Sequence, residues 1–227
     1  MTKSEPELRS GPSLAFTLAG VSFPRPDEEI KQLFDALKPY GDVLSIPAKY
    51  KLAMTCKDEK VIYLLHKGYF SYRYHDTGMI ISYLYPPLVI GLGNIFSHCS
   101  AGYHRAEVPA KVQRVTESDL NRCLENNPHL WQNITVILAY ALFRTVAQNA
   151  LVAPPKAYQV VRNLLIDLNQ QPEEIKKTVS APRYILDRAP LSRSTVMHII
   201  SELQRGGYVN TAWGGFLTGM SNLPENF

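Results

Sequence analysis

The sequence predicts an α+β protein. An N-terminal antiparallel β-barrel of jelly-roll type is followed by one long helix and a C-terminal helix-turn-helix with a short β-hairpin. Three observations carry this expectation. Between Val43 and about Val115, short apolar or alternating runs recur between turn signals, which is how a chain of many short strands reads. At Thr116 the period of the apolar residues changes to that of a helix. Near the C-terminus a cap, an apolar stripe, a basic front, a glycine stop and a hairpin follow one another in order.

Size and composition bound the answer. The 227 residues suit one large domain or two ordinary ones. A hydrophobic share of 45% against 19% charged permits packed cores and argues against extensive disorder. No unbroken apolar run approaches the roughly 18–20 residues of a membrane span; the longest, Val136 to Phe143, ends at Arg144. The opening MTKSEPELRSGPS has no apolar core, so no secretory signal is expected. Cys56, Cys99 and Cys123 are odd in number and widely spaced, which argues against a disulfide scaffold and for a reducing compartment. A cytoplasmic protein without a membrane partner is expected. The net charge of +4 permits a nucleic-acid partner without demanding one.

Residues 1–26, with Pro6, Pro12, Pro24 and Pro26, read as a loosely structured arm. Asp27 then opens a helix carrying Ile30, Leu33, Phe34 and Leu37, stopped at Pro39 and Gly41. The barrel domain, 27–127, has expected strands at Val43–Ile46, Tyr50–Thr55, Val61–Leu65, Tyr69–Tyr74, Met79–Leu84, Leu88–Ile90 and Ala110–Val115. A short helix over Glu117–Glu125 closes it. A long helix fills 128–153, with Leu130, Ile134, Ile137, Leu138, Ala141, Leu142 and Val146 on more than one face. Such a helix must be covered on two sides, by the barrel and by a second copy of itself. Ile134, Ile137, Leu138 and Ala141 are the expected dimer contacts. Residues 154–227 form the last domain, with helices over Tyr158–Leu168, Glu173–Thr178, Arg183–Arg188 and Ser192–Arg205. Strands over Tyr208–Ala212 and Phe216–Gly219 follow, joined by Trp213-Gly214-Gly215.

The second helix of the pair has the makings of a recognition helix. Ser192 can cap it. Val196, Ile199, Ile200 and Leu203 form one apolar stripe, while Arg193, Ser194, Met197, His198, Ser201 and Arg205 form a front without a carboxylate. Between Lys176 and Leu217 the basic residues are Lys176, Lys177, Arg183, Arg188, Arg193 and Arg205 and the acidic ones Asp187 and Glu202, a local +4 equal to that of the whole chain. Phosphate contacts supply affinity and base-edge contacts supply choice of sequence.

The segment YILDRAPLSRSTVMHIISELQRGGYV resembles the helix-turn-helix of the cyclic-AMP receptor/FNR family, with Ser192-Arg193-Ser194-Thr195-Val196 at its Ser-Arg-x-Thr-Val opening. The run YLLHKGYFSYRYHDTGMIISYLYPPLVIGLGNIF is similar to the barrel of that family. The likeness extends from about Pro26 to the end. The ending Leu223-Pro224-Glu225-Asn226-Phe227 is similar to an enterobacterial subgroup described by inhibition of hydrogen peroxide resistance. The resemblance implies a cyclic-nucleotide-binding-like barrel, a dimerisation helix and a winged helix-turn-helix. It also implies Arg193, Ser194 and His198 on bases, and Ser192, Thr195 and Arg205 on phosphates. Its implied partners are double-stranded DNA, a second copy of the chain and RNA polymerase, with any small-molecule ligand unknown.

The departures bear on the ligand. Relatives that hold cyclic AMP use a Gly-Glu-Leu run and an Arg-(Ser/Thr)-Ala run; here the first reads Gly91-Leu92-Gly93 and the second survives only as Arg105-Ala106-Glu107. The ribose carboxylate is absent, so no response to cyclic AMP is expected. Arg105 marks a possible pocket for another anion, and a filled barrel is the alternative. The first cysteine is Cys56, so no N-terminal thiolate set exists for an iron–sulfur cluster. A lone-thiol switch at Cys56, Cys99 or Cys123 competes with buried small hydrophobes. His66, His75, His98 and His104 fall in barrel segments, and His98-Cys99 near His104 reads as loop residues rather than a metal site. No metal, cofactor or catalytic residue is expected, since no Gly-x-Ser-x-Gly elbow, Walker loop or His-Glu-x-x-His occurs. The competing reading is a small-molecule-sensing or scaffolding barrel whose helix-turn-helix contacts another protein.

Overall fold

The computed structural model describes residues 16–18, 21–97 and 100–225. The thiol and metal options at His98 and Cys99, most of the arm and the last two residues lie outside the described residues. Strands β1 (Phe16–Leu18) and β2 (Val21–Phe23) pair antiparallel, so the expected loose arm carries a short hairpin just before Pro24. Helix α1 (Asp27–Leu37) begins with Asp27, Glu28 and Glu29, which suit the positive end of the helix dipole, and buries Ile30, Leu33, Phe34 and Leu37.

The barrel is two curled antiparallel sheets. One contains β3 (Asp42–Ile46), β10 (Ala110–Thr116), β5 (Glu59–Lys67) and β4 (Thr55–Cys56), with β8 (Leu88–Ile90) also paired to β5. The other has the order β7 (Ile80–Leu84), β6 (Phe70–Tyr74), β9 (Gly102–Ala106). The apolar run on β5 explains how the layers meet. Successive side chains of a strand point to opposite faces, so Val61, Tyr63 and Leu65 enter the core between the sheets. Ile62 and Leu64 enter a second core beneath α1, α3 (Glu117–Asn126) and α4 (Leu130–Val152). The expected strand over Tyr50–Thr55 is reduced to its last residue plus Cys56, because Lys49 takes a positive φ of 69° and Lys51 makes only an isolated bridge to Arg105. Strand β9 and the four-residue helix α2 (Leu92–Ile95) are additions.

Helix α4 corrects the expected dimer contacts. Ile134 and Ile137 are 2% and 5% exposed, packed within this chain against the α1 core. Asn133, also buried, donates to Gln32 Oε1 of α1 at 2.8 Å. Leu138 is half-buried at a cavity and only Ala141 of the four is exposed. The apolar residues left open are Trp131, Leu142 and Val146, with Phe143 also exposed and stacked on Phe23 at 5.3 Å. By length and composition α4 is apolar enough to cross a membrane, which a count of unbroken apolar runs overlooks. Here it is a core helix along one side only.

The C-terminal part comprises α5 (Ala157–Gln170), α6 (Glu173–Thr178), α7 (Ala181–Leu186), α8 (Arg193–Arg205), β11 (Val209–Ala212) and β12 (Phe216–Met220). Its core is continuous with the outer face of the smaller sheet: Tyr69, Ile80, Tyr83 and Tyr85 join Leu164, Leu165, Tyr184, Val196 and Leu203 in one cluster. Tyr85 donates to Gln171 Oε1 at 3.0 Å, Tyr69 meets the Thr178 hydroxyl at 3.1 Å, and the Ile80 amide donates to Asp187 O at 2.7 Å. Arg188 lies at the centre. Its guanidinium carbon is 3.6 Å from the Tyr184 ring centroid and 4.5 Å from that of Tyr83. Arg188 is 5% exposed and its Nε has no hydrogen-bond partner among the described residues. Burial disfavours its charge, and Tyr184, Tyr83 and the nearby Asp167 carboxylate together offset that cost.

Candidate nucleic-acid interface

The recognition segment is built from its cap outward. Ser192 has an extended backbone (φ −71°, ψ 148°) and its hydroxyl accepts from the Thr195 amide at 3.1 Å, so α8 starts at Arg193. Ser192 Oγ also lies 2.9 Å from Ser194 Oγ and 2.8 Å from Thr195 Oγ1, grouping three hydroxyls at the helix start. Val196, Ile199, Ile200 and Leu203 are buried against α5 and α7, which fixes the rotation of the helix. Arg193, Ser194, Met197, His198 and Ser201 are all exposed on the other side. Gly206 and Gly207 end the helix, Gly207 at φ 73°, where a side chain would be strained.

The local charge is narrower than the sequence suggests. Of the six basic residues, Arg188 is buried, Lys176 pairs with Glu173, Arg183 with Asp187 at 2.8 Å, and Arg205 with Glu202 at 2.7 Å. Among the described residues, Lys177 and Arg193 have no ion-pair partner. Arg193 is therefore the cation that the front of α8 presents unneutralised, whereas Arg205 at the far end shares its charge with Glu202.

The hairpin after α8 packs Val209 and Leu217 inward and pairs β11 with β12 in antiparallel register, with a bulge at Asn210/Thr211. Gln204 of α8 donates to Thr211 Oγ1 at 2.7 Å. The tip carries Trp213 at 98% exposure, a feature that apolar periodicity does not reveal because it lies in a turn.

In the barrel, the expected pocket residue is corrected by strand register. On β9, His104 points inward and Arg105 outward. Arg105 donates to both oxygens of Glu107 at 2.8 and 2.9 Å, and the same carboxylate takes Arg73 at 3.1 Å and the Ser71 hydroxyl at 2.5 Å. Burial pushes the Glu107 carboxyl up, but Ser71, Arg73 and Arg105 together hold it below its usual value. A cavity of about 250 Å³ between the smaller sheet, α2 and α4 is lined by Tyr72, Ser82, Leu88, His104 and Leu138, and not by Arg105. His104 stacks on Tyr72 at 4.8 Å, its Nδ1 has no partner among the described residues, and burial pushes its pKa down to about 4. Leu92, where cyclic-AMP binders have glutamate, is buried in the core beneath α1. Cys123 is buried, with its thiol donating to Ala36 O at 3.5 Å and pushed up in pKa; Cys56 is half-buried. No group of three or more metal-ligating side chains occurs among the described residues.

Comparison with known proteins agrees with this architecture. Residues 157–225 match the family model for winged helix-turn-helix DNA binding. The inhibitor of hydrogen peroxide resistance of Escherichia coli K12 is 22% identical over 219 residues, covering 91% of this chain and all of that protein. Its Salmonella typhimurium namesake is 21% identical over 150 residues, 66% of this chain and 72% of the other. The cyclic-di-GMP-responsive regulator CLP of Xanthomonas campestris superposes with a TM-score of 0.69 at 15% identity, over 85% of this chain and 100% of that one. A CRP/FNR family transcriptional regulator of Thermus thermophilus superposes with a TM-score of 0.56 at 17% identity, over 76% of this chain and 91% of that one. The fold is that of the CRP/FNR regulators, and its C-terminal unit has the winged helix-turn-helix architecture of the matched DNA-binding model.

Proposed function

We propose that this chain is a sequence-specific transcription regulator that binds a palindromic DNA site as a homodimer, in the cytoplasm and with no cofactor. The observation that carries the reading is the exposed front of α8, carboxylate-free around the unpaired Arg193. Arg193, Ser194 and His198 then read base edges, Arg193 by the bidentate geometry a guanidinium makes with guanine. Ser192, Thr195 and Arg205 hold phosphates, the two hydroxyls from the start of α8, where the helix favours an anion.

For the dimer, the outer side of α4 supports a different set from that read off the sequence. Trp131, Thr135, Leu138, Leu142 and Val146 recur at steps of three and four residues, the spacing of a helix-pair seam. Independence from cyclic AMP is supported by the inward Leu92 and by the engagement of Arg105 with Glu107. A role in peroxide resistance is supported by what the Escherichia coli relative is called, and RNA polymerase is the further partner this mode of action implies. Genome-wide mapping of bound DNA tests the reading: enrichment of one inverted repeat is expected, and recovery of no preferred sequence refutes it.

A further inference from the structure

The C-terminal hairpin contains no lysine or arginine from Gly206 to the end of the chain. It cannot grip phosphates by ion pairing. What it presents instead is an indole. Trp213 is 98% exposed, more than any other large apolar side chain among the described residues. Leaving an aromatic ring in water forgoes the burial that normally fixes its position.

The ring is also held on a rigid support. Gly214 and Gly215 take positive φ values of 87° and 81°, giving a tight turn that a side chain would strain. The Gly215 carbonyl accepts from the Ala181 amide at 2.8 Å, and a Cβ at Gly215 would touch Pro182 at 3.4 Å, so the tip is fastened to the start of α7. On the other side, Gln204 ties β11 to α8. The backbone that carries the indole therefore has a set position relative to the recognition front, while the ring itself is left free to pack on a partner. That front and the hairpin both fall within the matched DNA-binding unit, and neither sets a carboxylate beside Trp213 to repel a duplex.

We propose that Trp213 makes a non-ionic contact with DNA, packing its ring on the sugars and bases of the duplex that α8 reads. This rests on the DNA-binding reading and adds to it. Aromatic packing on nucleotides is tolerant of sequence, and a contact without charge releases no counterions. Trp213 thus raises affinity for all duplexes without adding to the salt dependence.

The chain has two tryptophans, Trp131 on α4 and Trp213. Incorporating 5-fluorotryptophan gives two fluorine resonances, and Trp213→Phe identifies its own by loss. The probe is a 30-base-pair duplex recovered from a random pool by selection on the wild-type protein. Binding is followed separately by fluorescence anisotropy of the labelled duplex. The Trp213 resonance is expected to shift and to lose its solvent isotope effect in step with binding. Trp213→Ala is expected to weaken binding about tenfold on selected and scrambled duplexes alike, with the slope of log K against log salt unchanged. Binding that leaves the Trp213 resonance solvent-exposed, or a Trp213→Ala protein that binds as wild type, overturns the proposal and leaves the DNA-binding reading standing. Failure of the wild type to select any duplex overturns both.

Discussion

Helices α8 and α4 both bury apolar side chains, yet the sequence disclosed the orientation of one and misled on the other. In α8 the apolar residues other than Met197 fall on one stripe, so there is one way to bury it, and Val196, Ile199, Ile200 and Leu203 are buried accordingly. In α4 apolar residues occur all round. The chain's own core takes Ile134 and Ile137, and the open side is left with Trp131, Leu142 and Val146. Contrast between faces locates a buried side, and total hydrophobicity does not.

Substitutions on the two faces of α4 are the most forceful way to break that distinction. Ile137→Asp places an unpaired charge in the α1 core and should cost about 3–5 kcal/mol, lowering Tm by about 10 °C. Leu142→Asp, on the open side, should leave thermal unfolding of the protomer nearly unchanged while light scattering reports monomer. The reverse pattern would return the dimer contact to Ile137. The inner side of α4 also closes the cavity that contains His104, and pH tests that side. With its folded pKa about 4 against 6.5 ordinarily, the unfolded chain binds more protons between those values, so stability present above pH 6.5 is lost as pH falls toward 4. The loss should be about 3 kcal/mol, visible in urea midpoints and removed by His104→Phe. Glu107 adds its own loss only at the acid end, where its carboxylate protonates.

The front of α8 sets smaller effects. Arg193→Ala should cost about 1–3 kcal/mol on the selected operator and relax preference at one base pair per half-site; equal losses on operator and scrambled duplex would make Arg193 a phosphate contact. Arg205→Ala should cost under about 1 kcal/mol on every sequence and slightly flatten the salt dependence, because Glu202 already neutralises part of its charge. Titration of each variant at two salt concentrations separates them.

Other differences between sequence and structure have equally local causes. Strand β9 escapes detection because Ala101-Gly102 at its entry reads as a turn and its buried positions are Gly102, His104 and Ala106 rather than large aliphatics. Arg105 looks like a pocket residue when matched by motif, since a motif does not state which side of the strand faces in. Arg188 counts as surface charge until the tertiary fold brings Tyr83, from a strand a hundred residues earlier, over its guanidinium. The cap, stripe and glycine stop of α8 are legible because each acts over fewer than fifteen residues. The cavity, the ion cluster at Glu107 and the sharing of Arg188 depend on contacts between distant segments, which no local pattern encodes.

The clasp at Arg188 bears on the length of the proposed DNA site. One cation held between Tyr83 on β7 and Tyr184 on α7 joins the barrel to the unit that carries α8. In a two-fold pair joined along α4, the distance between the two recognition helices is then a dimension of the protein body, as in the jaws of a caliper. Adding one base pair between half-sites turns one of them by about 35° and moves it about 3.4 Å along the duplex. A hinged protein would follow that displacement; jaws clasped at Arg188 would have to tear a desolvated cation from its aromatic seat to do so.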